Sequence, residues 1–182
     1  MKKSHSNLEL SILLIVLLWL ILLVDVMLPV DLRQFGIRPR QIDSLGGILF
    51  APFLHADLSH LIANSGALFV LMLVSLSYNR RMTFQALAII IVAGGLLVWI
   101  FGTPRSVHIG ASGVVFGLIG FLLFTGFFRR EWSALLVSII VFLLYGGALL
   151  SLFVHVPGIS WSSHFFGFLA GVLAAWLNRS GR

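Results

Sequence analysis

The sequence predicts an all-α membrane protein: a bundle of six transmembrane helices, the fourth of them short and starting inside the membrane. Three observations carry this. The 182 residues are 59% hydrophobic and 10% charged, with a mean hydropathy of +1.08, a surface that no water-soluble core could hide. A hydrocarbon core about 30 Å thick needs about 20 mostly apolar residues per helix, and six such stretches fit, at 8–28, 58–78, 83–101, 112–128, 133–153 and 162–178. The fourth, at 1.5 Å per residue, reaches only about 26 Å, so its first residue should sit below the bilayer surface. With little chain left over, residues 1–182 are expected to form a single transmembrane domain.

The first span follows Lys2 and Lys3 and runs to Pro29 without a small-x-small cleavage site, so it reads as a retained helix rather than a signal peptide. The second opens as FLHADLSHLIANSGALFVL. His60 and Asn64 are four apart and share a helical face. Such a pair inside a span either hydrogen-bonds a neighbouring helix or does chemistry.

The fourth span begins in VHIGASGVVFGLIG, where Gly113, Gly117 and Gly120 recur at i, i+4, i+7. The sixth, WSSHFFGFLAGVLAAWL, puts His164, Gly167 and Gly171 at i, i+3, i+7. Each stripe alone reads as helix packing of the GxxxG kind; crossed face to face, they bring Ser112 at the start of one helix close to His164 at the start of the other. The loop 102–111 must dip inward to meet a short span, which is tolerated only where protein covers it or water lines it. A helix start there offers unpaired N–H groups to a developing oxyanion. Span 5 carries Gly146 and Gly147 in its upper half.

The residue inventory sorts the possible hydrolytic chemistries. With no cysteine, thiol nucleophiles and thiolate metal sites drop out. The only glutamates, Glu9 and Glu131, stand near span ends, and no HExxH occurs. Asp25 is the one aspartate well inside a span and is expected to reach the interface or meet an Arg. A serine mechanism finds a nucleophile in Ser112, a base in His164 and oxyanion donors in His60 and Asn64. Phe116, one turn beyond Ser112, is placed either to pack on the His164 ring or to be an ordinary core aromatic. His5, His55, His108 and His155 read as water-facing loop residues or, alternatively, as a chance metal-binding cluster. No metal or cofactor is expected.

These segments resemble those of the rhomboid intramembrane serine proteases, in their minimal six-helix bacterial form. FLHADLSHLIAN is similar to the family's HxxxxHxxxN segment, GASGVVFG to its GxSG nucleophile motif and HFFGFLAG to its HxxGxxxG base motif. The resemblance implies a rhomboid-like bundle with Ser112 as nucleophile and His164 as general base. His60, Asn64 and the Ser112 N–H would stabilise the oxyanion, with Gly110 shaping the turn. It also implies that single-span transmembrane substrates enter from the lipid and are cut near their extracytoplasmic end, with span 5 as gate and residues 154–161 as lid. Phe116 stands where many relatives have tyrosine, and loop 29–57 lacks the Trp–Arg pair that many carry.

Lys and Arg counted by side place both termini in the cytoplasm: eight flank the N-terminal side of the bundle, four the other. The expectation is a multi-pass protein of the bacterial inner membrane whose partners are the bilayer and transmembrane substrates. The charge of +6 follows from this anchoring bias and calls for no nucleic acid. Two rivals are a catalytically silent rhomboid-like protein that binds transmembrane segments, against which the presence of both Ser112 and His164 argues, and a small transporter, for which no inverted repeat is visible. Oligomeric state is not legible in the chain.

Overall fold

The computed structural model describes residues 2–153 and 160–179. The chain is a helical bundle. Helix α1 spans Lys2–Met27 and α2 is a single turn, Gly47–Phe50. Helix α3 (Leu58–Ile89) passes through a π-helical turn (Ile90–Gly94) into α4 (Gly95–Phe101). Then follow α5 (Ser112–Arg129), α6 (Trp132–Leu149) and α7 (Trp161–Leu177). Among the described residues four helical stretches are long and apolar enough to cross a membrane, and Leu58–Phe101 counts as one of them.

That stretch would be about 66 Å long if straight, twice the hydrocarbon core, and it folds back at Asn79. There the backbone leaves the helix (φ −160°, ψ 106°). Asn79 Oδ1 accepts from the Met82 N–H at 3.0 Å, and Ser75 and Thr83 hydroxyls meet at 2.8 Å across the bend. The sequence places this turn at 79–82. Elsewhere it differs at the ends: α1 starts at Lys2, well before residue 8, because nothing in the N-terminal polar residues stops a helix.

Helix α5 is the axis of the bundle. Of its span 61% is buried, against 11% for α1 and 17% for α6. Its tightest neighbour is α7, and the glycines explain why. A Cβ on Gly167 would fall on the Gly113 carbonyl, and one on Gly171 on the Gly117 carbonyl. The missing side chains thus let backbone meet backbone. Gly120 does the same against Phe168 O. The facing is not glycine to glycine throughout: the space beside Gly117 is taken by Ile90 of the π turn, so this stripe serves two neighbours.

Helix α6 is attached differently. Its buried residues are Ala134, Ser138 and Val141, all in its first ten residues. Ser138 Oγ lies 2.7 Å from Leu122 O and accepts from the Gly126 N–H at 3.2 Å. Beyond that point the helix presents Phe142, Leu143 and Leu144 outward, and Gly147 has nothing within 4 Å of a would-be Cβ.

The long first loop is built rather than loose. It contains 3₁₀ turns at Leu32–Phe35, Ile42–Ser44 and Ala51–Phe53. Asp25 Oδ1 accepts from the Leu32 N–H at 2.6 Å, so this aspartate pins the exit of α1 through a backbone amide. Ile37 and His108 exchange backbone hydrogen bonds at 3.0 and 2.9 Å, which ties the first loop to the one leading into α5.

Candidate active site

The polar groups of α3, α5 and α7 converge on one cavity of about 860 Å³, lined among others by His60, Asn64, Ser112, Phe116, Tyr145 and His164. Each arrives by local chemistry. Asp57 caps α3 by accepting from the His60 N–H at 2.8 Å, a cap of the kind that contributes about 1 kcal/mol, and thereby starts the helix where His60 and then Asn64 face inward. Hydrogen bonds from Ser59 and the His60 N–H hold the Asp57 carboxyl below the usual carboxylate range.

Ser112 is the first residue of α5, and no side chain caps that helix. The helical ladder begins with the Val115 N–H on Ala111 O at 2.9 Å, leaving the amides of Ser112, Gly113 and Val114 outside it. Gly110 has φ +107°, a conformation that side chains rarely adopt. A Cβ there would strike the His60 ring at 2.6 Å and approach Asn64 Nδ2 at 3.5 Å. The turn before Ser112 therefore lies directly against the α3 pair.

The His164 ring stacks on Phe116, with centroids 4.1 Å apart and planes 14° apart. Phe116 is buried, so of the two placements open to this residue the ring contact is the one present. Nδ1 of His164 and Nδ2 of Asn64 are both buried without a hydrogen-bond partner among the described residues. An orphaned buried donor such as the Asn64 amide costs free energy unless something else uses it. No group of three or more metal-ligating side chains occurs among the described residues.

Two loop histidines differ from expectation. His55 and His108 are buried, at 2% and 4% exposure, rather than facing water. The edge of the His55 ring meets His60 at 5.2 Å, and its Nε2 lies 3.5 Å from the Ala111 N–H. Burial, aided by His60, pushes its pKa down to about 4. His108 is likewise pushed down by burial. Its ring bridges Ser106 Oγ (2.8 Å) and Ser160 Oγ (2.6 Å). The spacing held a signal for this: His108 precedes Ser112 by four residues, and Ser160 precedes His164 by four.

In place of a Trp–Arg pair within the first loop, Arg40 reaches across to the end of α4. Its Nη1 and Nη2 donate to Ile100 O and Gly102 O, and Trp99 Nε1 donates to Gln41 O at 2.9 Å. The two that Arg40 meets are carbonyls of the kind that a helix C-terminus leaves unpaired. At the rim of the cavity, Trp161 Nε1 donates to Leu152 O at 2.7 Å, joining the 3₁₀ turn after α6 (Leu150–Leu152) to the start of α7. The expected lid falls largely on residues 154–159 and so lies outside the described residues.

Fold and site together define a polytopic helical membrane protein in which polar side chains from three helices reach one cavity beside a glycine-packed helix pair. Comparison with known proteins gives the family. The profile described as Rhomboid domain matches residues 43–181. The "Uncharacterized protein Rv1337" of Mycobacterium tuberculosis is 41% identical over 172 residues, covering 90% of this chain and 71% of that protein. "Uncharacterized protein ML1171" of Mycobacterium leprae is 39% identical over 88% of this chain and 67% of its own length. The Bacillus subtilis protein named "Putative rhomboid protease YdcA" is 34% identical over 129 residues, 68% of this chain and 62% of that protein. No solved structure matches. The chain belongs to the rhomboid family and is a bacterial membrane protein.

Proposed function

We propose that the protein is an intramembrane serine endopeptidase that cuts single-span transmembrane proteins near their extracytoplasmic end. The observation that carries this reading is the convergence of Ser112, His164, His60 and Asn64 on one cavity. Ser112 Oγ attacks the scissile carbonyl while His164, oriented by its stack on Phe116, takes the proton and later returns it to the leaving amine. The resulting oxyanion is held by the Ser112 N–H, by Asn64 Nδ2, which has no partner among the described residues, and by His60 beside the Gly110 turn. With no carboxylate in the set, the pair acts as a dyad. Residues 1–182 work as one domain in the inner membrane with both termini cytoplasmic. The substrate enters past α6, whose upper half is weakly held. An intact helix keeps its amides bonded internally, so the scissile segment must unwind, which favours spans with Gly or Pro near the cut.

The test is labelling of the purified protein by a fluorophosphonate probe. Wild type should label covalently and Ser112→Ala should not. Equal labelling of both would remove Ser112 from the reaction, and no labelling of wild type would favour a silent binder of transmembrane segments.

A further inference from the structure

The hydrogen-bond chain through His108 has a fixed direction. Ser106 Oγ is in hydrogen-bond contact with Thr103 O. A carbonyl only accepts, so the single hydroxyl proton of Ser106 is committed there. Toward His108, Ser106 can therefore only accept, and the ring must carry its proton on Nε2. Nδ1 is then an acceptor and takes the hydroxyl proton of Ser160 at 2.6 Å. Ser160 Oγ in turn accepts from the Ser163 N–H at 3.2 Å and from the Ser163 hydroxyl at 2.7 Å. Every proton in the series has one place to go.

The two ends of this chain matter because of where they sit. Through its main chain His108 is bonded in both directions to Ile37, and two residues on, the Gly110 N–H donates to Ala51 O at 2.9 Å. The segment entering α5 is thus fixed on the first loop. Ser160 is the N-cap of α7. A buried imidazole satisfied at both nitrogens links the residue four before Ser112 to the residue four before His164, across the mouth of the glycine-packed helix pair.

We propose that His108 is a positioning residue: in its Nε2–H form it ties the loop leading into Ser112 to the N-cap of the helix carrying His164, and so sets the separation of the two reacting groups. This rests on the reading of Ser112 and His164 as nucleophile and base. Gly113 and Gly167 fix how closely α5 and α7 approach, but van der Waals contact of this kind resists sliding along the axis less sharply than a directional bond does. A directional bond at the top of both helices opposes it.

The experiment measures kcat and KM separately for cleavage of a single-span substrate by wild type, His108→Ala, Ser160→Ala, the double variant and Ser160→Thr, with 15N spectra of the histidine rings. Misplacement by about 1 Å can cost about a hundredfold in rate, so each alanine variant should lose about tenfold to a hundredfold in kcat with KM little changed. The double variant should be no worse than the poorer single, because both remove the same link. Ser160→Thr, which keeps the hydroxyl, should restore kcat. Loss of the α7 cap alone would instead multiply with the His108 effect, so a double variant equal to the product of the singles overturns the proposal. So does full kcat in both singles, an effect on KM alone, or a His108 ring protonated on Nδ1 in wild type. A wild type that does not cleave, with the ring in the Nε2–H form, overturns the reading of the site and this proposal with it; the failures are thus distinguishable.

Discussion

Helices α7 and α6 flank α5 on two sides and are held to it by opposite means. Against α7 the contact is backbone on backbone: Gly167 and Gly171 admit the carbonyls of Gly113 and Gly117, and Ala170 and Ala174 are buried beside them. Against α6 the buried contact is Ala134, Ser138 and Val141, all in its first ten residues, with Ser138 hydrogen-bonded to the α5 backbone and Val137, Tyr145 and Leu149 only partly buried. Without a hydrophobic driving force between helices in lipid, close packing and interhelical hydrogen bonds are what hold them. Beyond Val141, α6 makes no hydrogen bond to α5 among the described residues, so that part is the more weakly held. The chemistry-bearing groups Ser112 and His164 stand on the tightly held pair, while α6 contributes only Tyr145 and Ala148 to the cavity wall. On the proposed function, the closely packed pair is the half that holds the reacting groups fixed, and the upper part of α6 is the half that opens to lipid.

The largest expected effects break the fixed half. Ser112→Ala or His164→Ala should abolish proteolysis without unfolding the protein, read as gel-resolved cleavage alongside thermal unfolding in detergent. Next come the donors on α3: losing one preorganised donor typically costs about 10²–10³ in rate, so Asn64→Ala and His60→Ala should lose that much in kcat with KM little altered. A defect confined to KM would assign them to substrate binding.

Substitutions at glycines of the two flanking helices sharpen the contrast. Gly171→Val drives a side chain into the Gly117 carbonyl and should destabilise by about 3 kcal/mol or more, since overpacking typically costs about 1–3. Gly147→Ala meets open space and replaces a poor helix former, so stability should hold or rise by up to about 1 kcal/mol. If α6 must bend to admit substrate, that variant should also slow cleavage of helical substrates. Comparable unfolding midpoints for the two variants would erase the difference between a fixed and a loosely held helix.

The smallest effect concerns pH. His55, neutral in the fold and pushed down to about 4, takes up a proton on unfolding below its ordinary value near 6.5. The unfolded chain therefore binds more protons between about 6.5 and 4, and stability falls as pH is lowered through that window. His108, shifted the same way, adds to it. Unfolding midpoints at pH 7.5 and 5 should differ in wild type and differ less in His55→Asn.

The helical membrane class was legible because lipid imposes length and apolarity on every span, and the glycine stripes of α5 and α7 were legible because a period of three and four needs no partner to be seen. The order of the polar groups along the chain pointed to a common site. What stayed hidden depends on contacts distant in sequence. Arg40 closing the α4 C-terminus and the burial of His55 and His108 follow from how the first loop folds over loop 102–111, and Ile90 fills the space beside Gly117 because the π turn packs on α5. Polar loop residues carry no period that would mark them as buried. The break at Asn79 lies in the stretch 79–82 that the sequence leaves between two spans, whereas the continuation of α3 through a π turn into α4 left no trace in an unbroken apolar run.

Proteolysis within the membrane is tested most directly by reconstituting the protein in liposomes with a single-span substrate, carrying Gly or Pro in its outer half, and locating any cut by mass spectrometry of the fragments. Wild type should yield one cut close to the extracytoplasmic boundary, Ser112→Ala none, and replacing the helix breaker with Leu should slow the wild-type rate. A substrate that stays intact while binding wild type and Ser112→Ala alike would contradict proteolysis.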